Sequence, residues 1–177
     1  FPKWLQQLDM ESNGKSVDRD GKPVKHSCPV VFGSAGSNAQ HSYFQLLHQG
    51  PEIIPIDFIA VREPMSDRPE AEAHHRILLS NCLAQAQALA NGKAAGNPNE
   101  VYPGKRPSNL LLLPKLNAFY LGALLALYEN RAATLGALWN INSFDQPGVE
   151  YGKVLAKPIE KALTSHQNTI QASAEID

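Results

Sequence analysis

Cysteine is scarce in this 177-residue chain: Cys28 and Cys82 are the only two, and they form no C-x-x-C pair. Neither a disulfide framework nor a zinc ribbon fits that usage, which suits a reducing cytoplasm. A surplus of charge of one sign is lacking too. The 16 Lys and Arg stand against 17 Asp and Glu, a formal net charge of -1, so the basic excess of a nucleic-acid-binding face is missing. No long hydrophobic run is present. The longest charge-free apolar stretch, Leu116–Tyr128, falls short of the ~20 residues that cross a bilayer. Phe1–Gln7 lacks the apolar core of a signal peptide. No nucleic-acid partner and no membrane association are therefore expected. Met is absent from position 1, and the chain is expected to be a processed or truncated piece of something longer.

What is present reads as one globular domain: 43% of residues are apolar and 19% charged, which excludes wholesale disorder. Residues 12–28 are polar, with Asn13-Gly14 and Asp20-Gly21 as turn signals. From Pro29 strands and helices alternate. Val30-Val31-Phe32 predicts a buried strand, and Ala39–His48 a helix for which Ser34, Ser37 and Asn38 are candidate N-caps. Ile53–Val61 predicts a second strand. A long helix over 69–90 has Leu78, Cys82, Ala86 and Leu89 on one face. After a Gly- and Pro-rich loop, Gly92–Arg106, come a strand at Leu110–Leu113 and a helix at Leu116–Tyr128. A strand at Leu135–Ile141 and a helix at Val149–Leu163 follow, with Pro158 expected to kink or end that helix. This order predicts an α/β fold, a three-layer αβα sandwich with a mostly parallel sheet. Sites in such sheets form outside the carboxyl ends of strands, which singles out loops 33–38, 62–68 and 142–148.

Several residues in or near these places carry usable chemistry. Glu11 is either a solvated carboxylate before a turn or a general base beside a substrate C–H. His41 follows the Gly33–Asn38 loop at the start of a helix, where the positive helix terminus favours a neutral imidazole; a packing or surface histidine is the plainer alternative. The loop itself lacks the Gly-Lys-Ser/Thr of a Walker loop and does not match G-x-G-x-x-G. An ordinary tight turn explains its glycines as well as an anion site does. Lys153 falls in the first turns of the last helix, as a solvated lysine or one within reach of the strand ends. His74 and His75 are adjacent, so they point to different sides of a helix and cannot chelate one ion at the usual i,i+4 spacing. No metal site is expected.

The longer motifs are more specific. Gly136-Ala137-Leu138-Trp139, then Phe144-Asp145-Gln146-Pro147-Gly148-Val149-Glu150 and Lys153, form one; Met10-Glu11-Ser12-Asn13-Gly14-Lys15 a second. Asn38-Ala39-Gln40-His41 with Phe44-Gln45-Leu46-Leu47-His48-Gln49-Gly50 is a third, joined by Arg106-Pro107-Ser108-Asn109 and Leu121-Gly122-Ala123-Leu124. Together these segments resemble the glucose-6-phosphate isomerase (phosphoglucose isomerase) family, from about Leu5 to about His166, in its C-terminal portion.

The resemblance implies a sugar-isomerase (SIS-type) domain and an aldose–ketose isomerase working through a cis-enediol, with no metal or cofactor. By carry-over Glu11 would move the proton between C2 and C1 of the open-chain sugar. His41 and Lys153 would handle ring opening, and Gln7 would hold the substrate beside Glu11. The resemblance also implies a cytoplasmic homodimer acting on a sugar phosphate, with active sites at the interface and His41 supplied by the partner subunit. Composition and patterning set off a lead segment 1–28 and a loose tail 166–177, with the expected SIS domain at 29–165 between them. Two departures stand out. Ser34 occupies a place where the family usually has an acid, and the family's N-terminal part, with its Ser/Thr phosphate loop and Gly-Gly-Arg motif, is absent. The chain alone is therefore expected to be nearly inactive, because phosphate contacts normally position the sugar, and to leave apolar surface for self-association or a partner fragment. A non-catalytic sugar-phosphate-binding module of the same fold is the alternative. An isomerase of another sugar phosphate, such as mannose 6-phosphate, is a third.

Overall fold

The structure, a computed structural model, describes residues 1–174, with side chains in the last helix described as far as Ser165. The chain forms two compact units, one built mainly from Lys3–Val31 and the chain from Arg131 onward, the other from Phe32–Asn130.

The Phe32–Asn130 unit is α/β. Helices α2 (Gly36–Gln40) and α3 (Phe44–Gln49) precede strand β1 (Ile56–Val61), and α4 (Ala71–Asn91) crosses over to β2 (Ser108–Leu113). The two strands pair in parallel, Ile56 against Ser108 through Val61 against Leu113. Strand side chains alternate between faces, and both faces are used. Ile56 and Phe58 pack on a core of Ala39, Phe44, Leu47 and Leu89 from α2, α3 and α4. Asp57, pointing the other way, accepts a hydrogen bond from the Tyr128 hydroxyl of α5 (Ala118–Leu138) at 2.8 Å and one from Asn109 at 2.8 Å. Helices α2, α3 and α4 thus cover one face of the small parallel sheet, and Tyr128 of α5 reaches the other. Buried Arg106 closes the approach to β1 by donating to the carbonyls of Glu52 and Gly50 at 2.6 and 2.5 Å.

The other unit begins with α1 (Pro2–Gln6), continues through a π-helical turn at Gln7–Glu11, and packs that segment against the C-terminal part of α5. A loop at 14–31 follows, with Gly21 at φ +76° in the Asp20-Gly21 turn. After α5 come a 3-10 turn at Pro147–Val149 and α6 (Glu150–Ala174). Among the described residues no helix is long and apolar enough to cross a membrane.

Four local expectations are corrected. Val30-Val31-Phe32 forms no strand: Val30 is 82% exposed, and the only strand-to-strand ladder among the described residues is that of β1 and β2. Leu135–Ile141 is the end of α5 rather than a strand. Ala132 and Gly136 are buried one turn apart, and the helix stops where Asn140 takes φ +55°. The Asn140 N–H then bonds the Ala137 carbonyl and the Ile141 N–H the Gly136 carbonyl, a Schellman closure. The expected helix at Ala39–His48 is two helices, because Tyr43 leaves helical geometry and meets the Phe32 ring edge-on at 5.2 Å. Ala35 rather than Ser34, Ser37 or Asn38 is the N-cap of α2; the Ser34 hydroxyl bonds Tyr43 Oη at 3.2 Å instead. Two smaller differences remain. Leu78 is exposed, so the core stripe of α4 ends in Leu89. Helix α6 runs through Pro158 to Ala174, and residues 175–177 of the expected tail lie outside the described residues.

Candidate active site

The π-helical turn at Gln7–Glu11 is the most distinctive piece of backbone in the Lys3–Val31 segment. Such turns are rare and concentrate at functional sites. Gln7 and Glu11 are four residues apart, one turn, and so share a face. Both are exposed, and neither side chain has a hydrogen-bond or ion-pair partner among the described residues. Their neighbours are spent on structure. The side chain of Asp9 is 3% exposed and pairs with the Arg131 guanidinium of α5. Asn13, 1% exposed, donates from Nδ2 to the Ala132 carbonyl at 2.8 Å and accepts from Ser143 Oγ at 2.6 Å. One side of the segment is thus bolted to α5 while the other presents a free amide and a free carboxylate.

Lys15 continues the bracing. Its ammonium donates to the carbonyls of Ser12 at 2.6 Å and Glu11 at 3.4 Å, and lies 3.9 Å from the Asp145 carboxylate. Together with Ser143 on Asn13, this ties the segment carrying Glu11 to the loop that leads into α6 and Lys153. In that loop Asn142 donates to Asp145 at 2.8 Å, and Pro147 opens the 3-10 turn, where its missing N–H costs nothing. Lys153 is exposed, with Nζ 2.6 Å from Glu150 Oε1. Exposed pairs of this kind contribute roughly 0–1 kcal/mol, so little free energy ties Lys153 to this partner.

His41 caps the C-terminus of α2 in the Phe32–Asn130 unit and is exposed, its ring without a partner among the described residues. Gln7, Glu11 and Lys153 belong to the other unit. Of the three loops singled out, only 62–68 follows a strand end; 33–38 opens α2, and 142–148 joins α5 to α6. Among the described residues no group of three or more His, Cys, Asp or Glu is placed to hold a metal ion.

Sequence reasoning did not single out Asp9, Arg131 or Ser143, and took Asn13 as a turn residue and a member of the Met10–Lys15 motif. A signal existed for Arg131, the one basic residue of the largely apolar α5. A partly buried cation of that kind favours a carboxylate partner, and Asp9 supplies it.

A family model described as phosphoglucose isomerase matches residues 1–175. The chain belongs to the phosphoglucose isomerase family. The glucose-6-phosphate isomerase of Cupriavidus metallidurans is 52% identical over 178 residues, which cover 94% of this chain and 32% of that protein. That of Dechloromonas aromatica is 54% identical over 168 residues, covering 88% and 31%. A crystal structure of a glucose-6-phosphate isomerase from Chlamydia trachomatis superposes with a TM-score of 0.81 at 41% identity, over 93% of this chain and 32% of that one. A hypothetical protein from Thermus thermophilus gives 0.69 at 29% identity, over 89% and 37%. The chain thus spans about a third of the length of the curated relatives it matches. Its α/β architecture is the sugar-isomerase fold of these phosphoglucose isomerase neighbours.

Proposed function

We propose that this chain is the C-terminal portion of an aldose–ketose isomerase that interconverts glucose 6-phosphate and fructose 6-phosphate through a cis-enediol. The observation that carries the reading is the turn at Gln7–Glu11: a rigidly backed carboxylate with no internal partner, in a chain of the phosphoglucose isomerase family. A 1,2-shift of hydrogen needs one base on one face of the sugar. Glu11 takes the proton from C2 as the C1 oxygen gains one, giving the enediol, then returns its proton to C1 as the C2 hydroxyl gives one up. Gln7, one turn away on the same face, holds a substrate oxygen beside that carboxylate. His41 and Lys153 exchange protons with the ring oxygen and the C1 hydroxyl during ring opening, both being exposed and weakly committed.

In this reading the enzyme is a cytoplasmic homodimer in which His41 completes the site of the other subunit. The phosphate grip comes from sequence outside the chain, so residues 1–177 alone turn over very little. A non-catalytic sugar-phosphate-binding module is the second reading. It is favoured by Ser34, whose hydroxyl is committed to Tyr43 where the family carries an acid.

The test is a coupled isomerase assay on the full-length gene product that carries this chain, with Glu11→Gln beside it. The expected loss in kcat is about 10²–10⁴-fold, the usual contribution of a positioned general base, together with loss of solvent hydrogen incorporation at C2. Full turnover by E11Q overturns the assignment of the base. Binding without turnover in the wild type makes the module the correct reading.

A further inference from the structure

Three segments converge on one buried amide. Asn13 comes two residues after Glu11, Ser143 lies in the loop that leads to Lys153, and Ala132 and Gly136 are successive turns of α5. Asn13 joins all three, donating to the Ala132 carbonyl at 2.8 Å and accepting from Ser143 Oγ at 2.6 Å. Gly136 explains how they come so close. A Cβ at that position would overlap Ser143 Oγ and stand 2.8 Å from Asn13 Oδ1. A glycine inside a helix is a poor choice for the helix itself. Its place here is accounted for by the space the Asn13–Ser143 bond occupies.

We propose that Asn13 is a positioning residue for Glu11, acting through a joint with Ser143 and the glycine face of α5 that fixes the base-bearing turn against the loop leading to Lys153. The inference rests on the assignment of Glu11 as the base. Both groups of Asn13 are used on different elements, so the amide cannot rotate to favour one without releasing the other. Releasing it lets the residues just after Glu11 shift while Asp9 still holds the preceding ones. The carboxylate then tilts away from the substrate carbon rather than leaving the site. An error of this size lowers the chemical step more than binding, since it removes alignment and not contacts.

The experiment compares Asn13→Ala, Ser143→Ala and Gly136→Ala in the full-length gene product, with thermal unfolding as the fold control. G136A attacks the joint without removing either bonded group, and S143A keeps the measurement open should N13A fail to fold. Each variant that folds is expected to lose about ten- to a hundredfold in kcat, with KM within about twofold. The S143A/G136A double variant should lose no more than the worse single, because both break the same bond. Wild-type kcat per folded molecule in S143A and G136A overturns the inference, as does full additivity of the two. An inactive E11Q beside fully active joint variants overturns this inference alone. A fully active E11Q overturns the base assignment and this inference with it.

Discussion

The carboxylate of Asp9 lies against the guanidinium of Arg131, beneath the turn whose other side presents Gln7 and Glu11. The pair is asymmetric: the Asp9 side chain is 3% exposed and that of Arg131 36%. Asp9 Oδ1 is buried with no hydrogen-bond partner among the described residues, so Arg131 carries most of the compensation for a desolvated charge. Removing one member of such a pair leaves the other stranded.

Arg131→Met, which keeps the apolar stem, is accordingly expected to destabilise the protein by about 3 kcal/mol at neutral pH. Adding Asp9→Asn to it should recover more than half of that loss, because the stranded charge is then gone. Denaturant midpoints of the two variants check this. A double variant no more stable than R131M would mean that the pair contributes packing and not charge compensation.

The same burial sets a pH dependence. Desolvation pushes the Asp9 carboxyl above the ordinary value of 3.8, and Arg131 offsets part of that push. The folded protein therefore holds this proton more tightly than the unfolded chain does. By linkage, the associated stability is full below the ordinary value and is lost as pH rises through the raised one. In Asp9→Asn that loss disappears. The stability of D9N relative to wild type should thus climb as pH rises above the ordinary carboxylate value and level off above the raised one; a flat difference contradicts the assignment of the shift to Asp9.

Cys28 sits in the same neighbourhood. Burial pushes its thiol up to about 11, the Asp9 charge adds to the rise, and Arg131 opposes it. At pH 8 a thiol of that kind is on the order of 0.1% thiolate, and only the thiolate is nucleophilic. Iodoacetamide is expected to label Cys28 roughly a hundredfold more slowly in the folded protein than in urea, read by peptide mass spectrometry. Comparable rates in the two conditions would show that the segment around Cys28 opens freely.

Much of the Phe32–Asn130 unit was legible because its elements are long or strongly patterned. Helix α4 and both strands fall within a few residues of their expected bounds, since periodicity over many residues outweighs any local signal. The failures were short apolar runs. Leu135–Ile141 reads equally as buried strand or buried helix, and in the structure its first residues continue α5 as far as Leu138. Val30–Phe32 carries strand-forming residues yet pairs with no strand among the described residues, and side chains alone do not supply a partner. Glu11 and Lys153 are proposed through motif resemblance, and their spacing alone leaves a plainer reading open. The bracing of Glu11 was invisible, because Asp9–Arg131 and Asn13–Ser143 join positions far apart in the chain.

Arg106 offers a test in the other unit. It is 6% exposed and has no carboxylate partner among the described residues, giving its two terminal nitrogens to the carbonyls of Glu52 and Gly50. Those carbonyls belong to the stretch between α3 and β1, so one fork closes the whole connection. Lysine presents a point charge in place of a planar fork and reaches at most one of the two acceptors in line. The other then loses a hydrogen bond to a charged donor, worth about 1.5–3 kcal/mol. Arg106→Lys should therefore lower stability by about 2 kcal/mol despite conserving charge. Charge-neutral Arg106→Met, which satisfies neither carbonyl, should lower it further. If R106K matches wild type in its denaturant midpoint, the fork is not what holds the connection, and packing of the side-chain stem must account for the burial of Arg106.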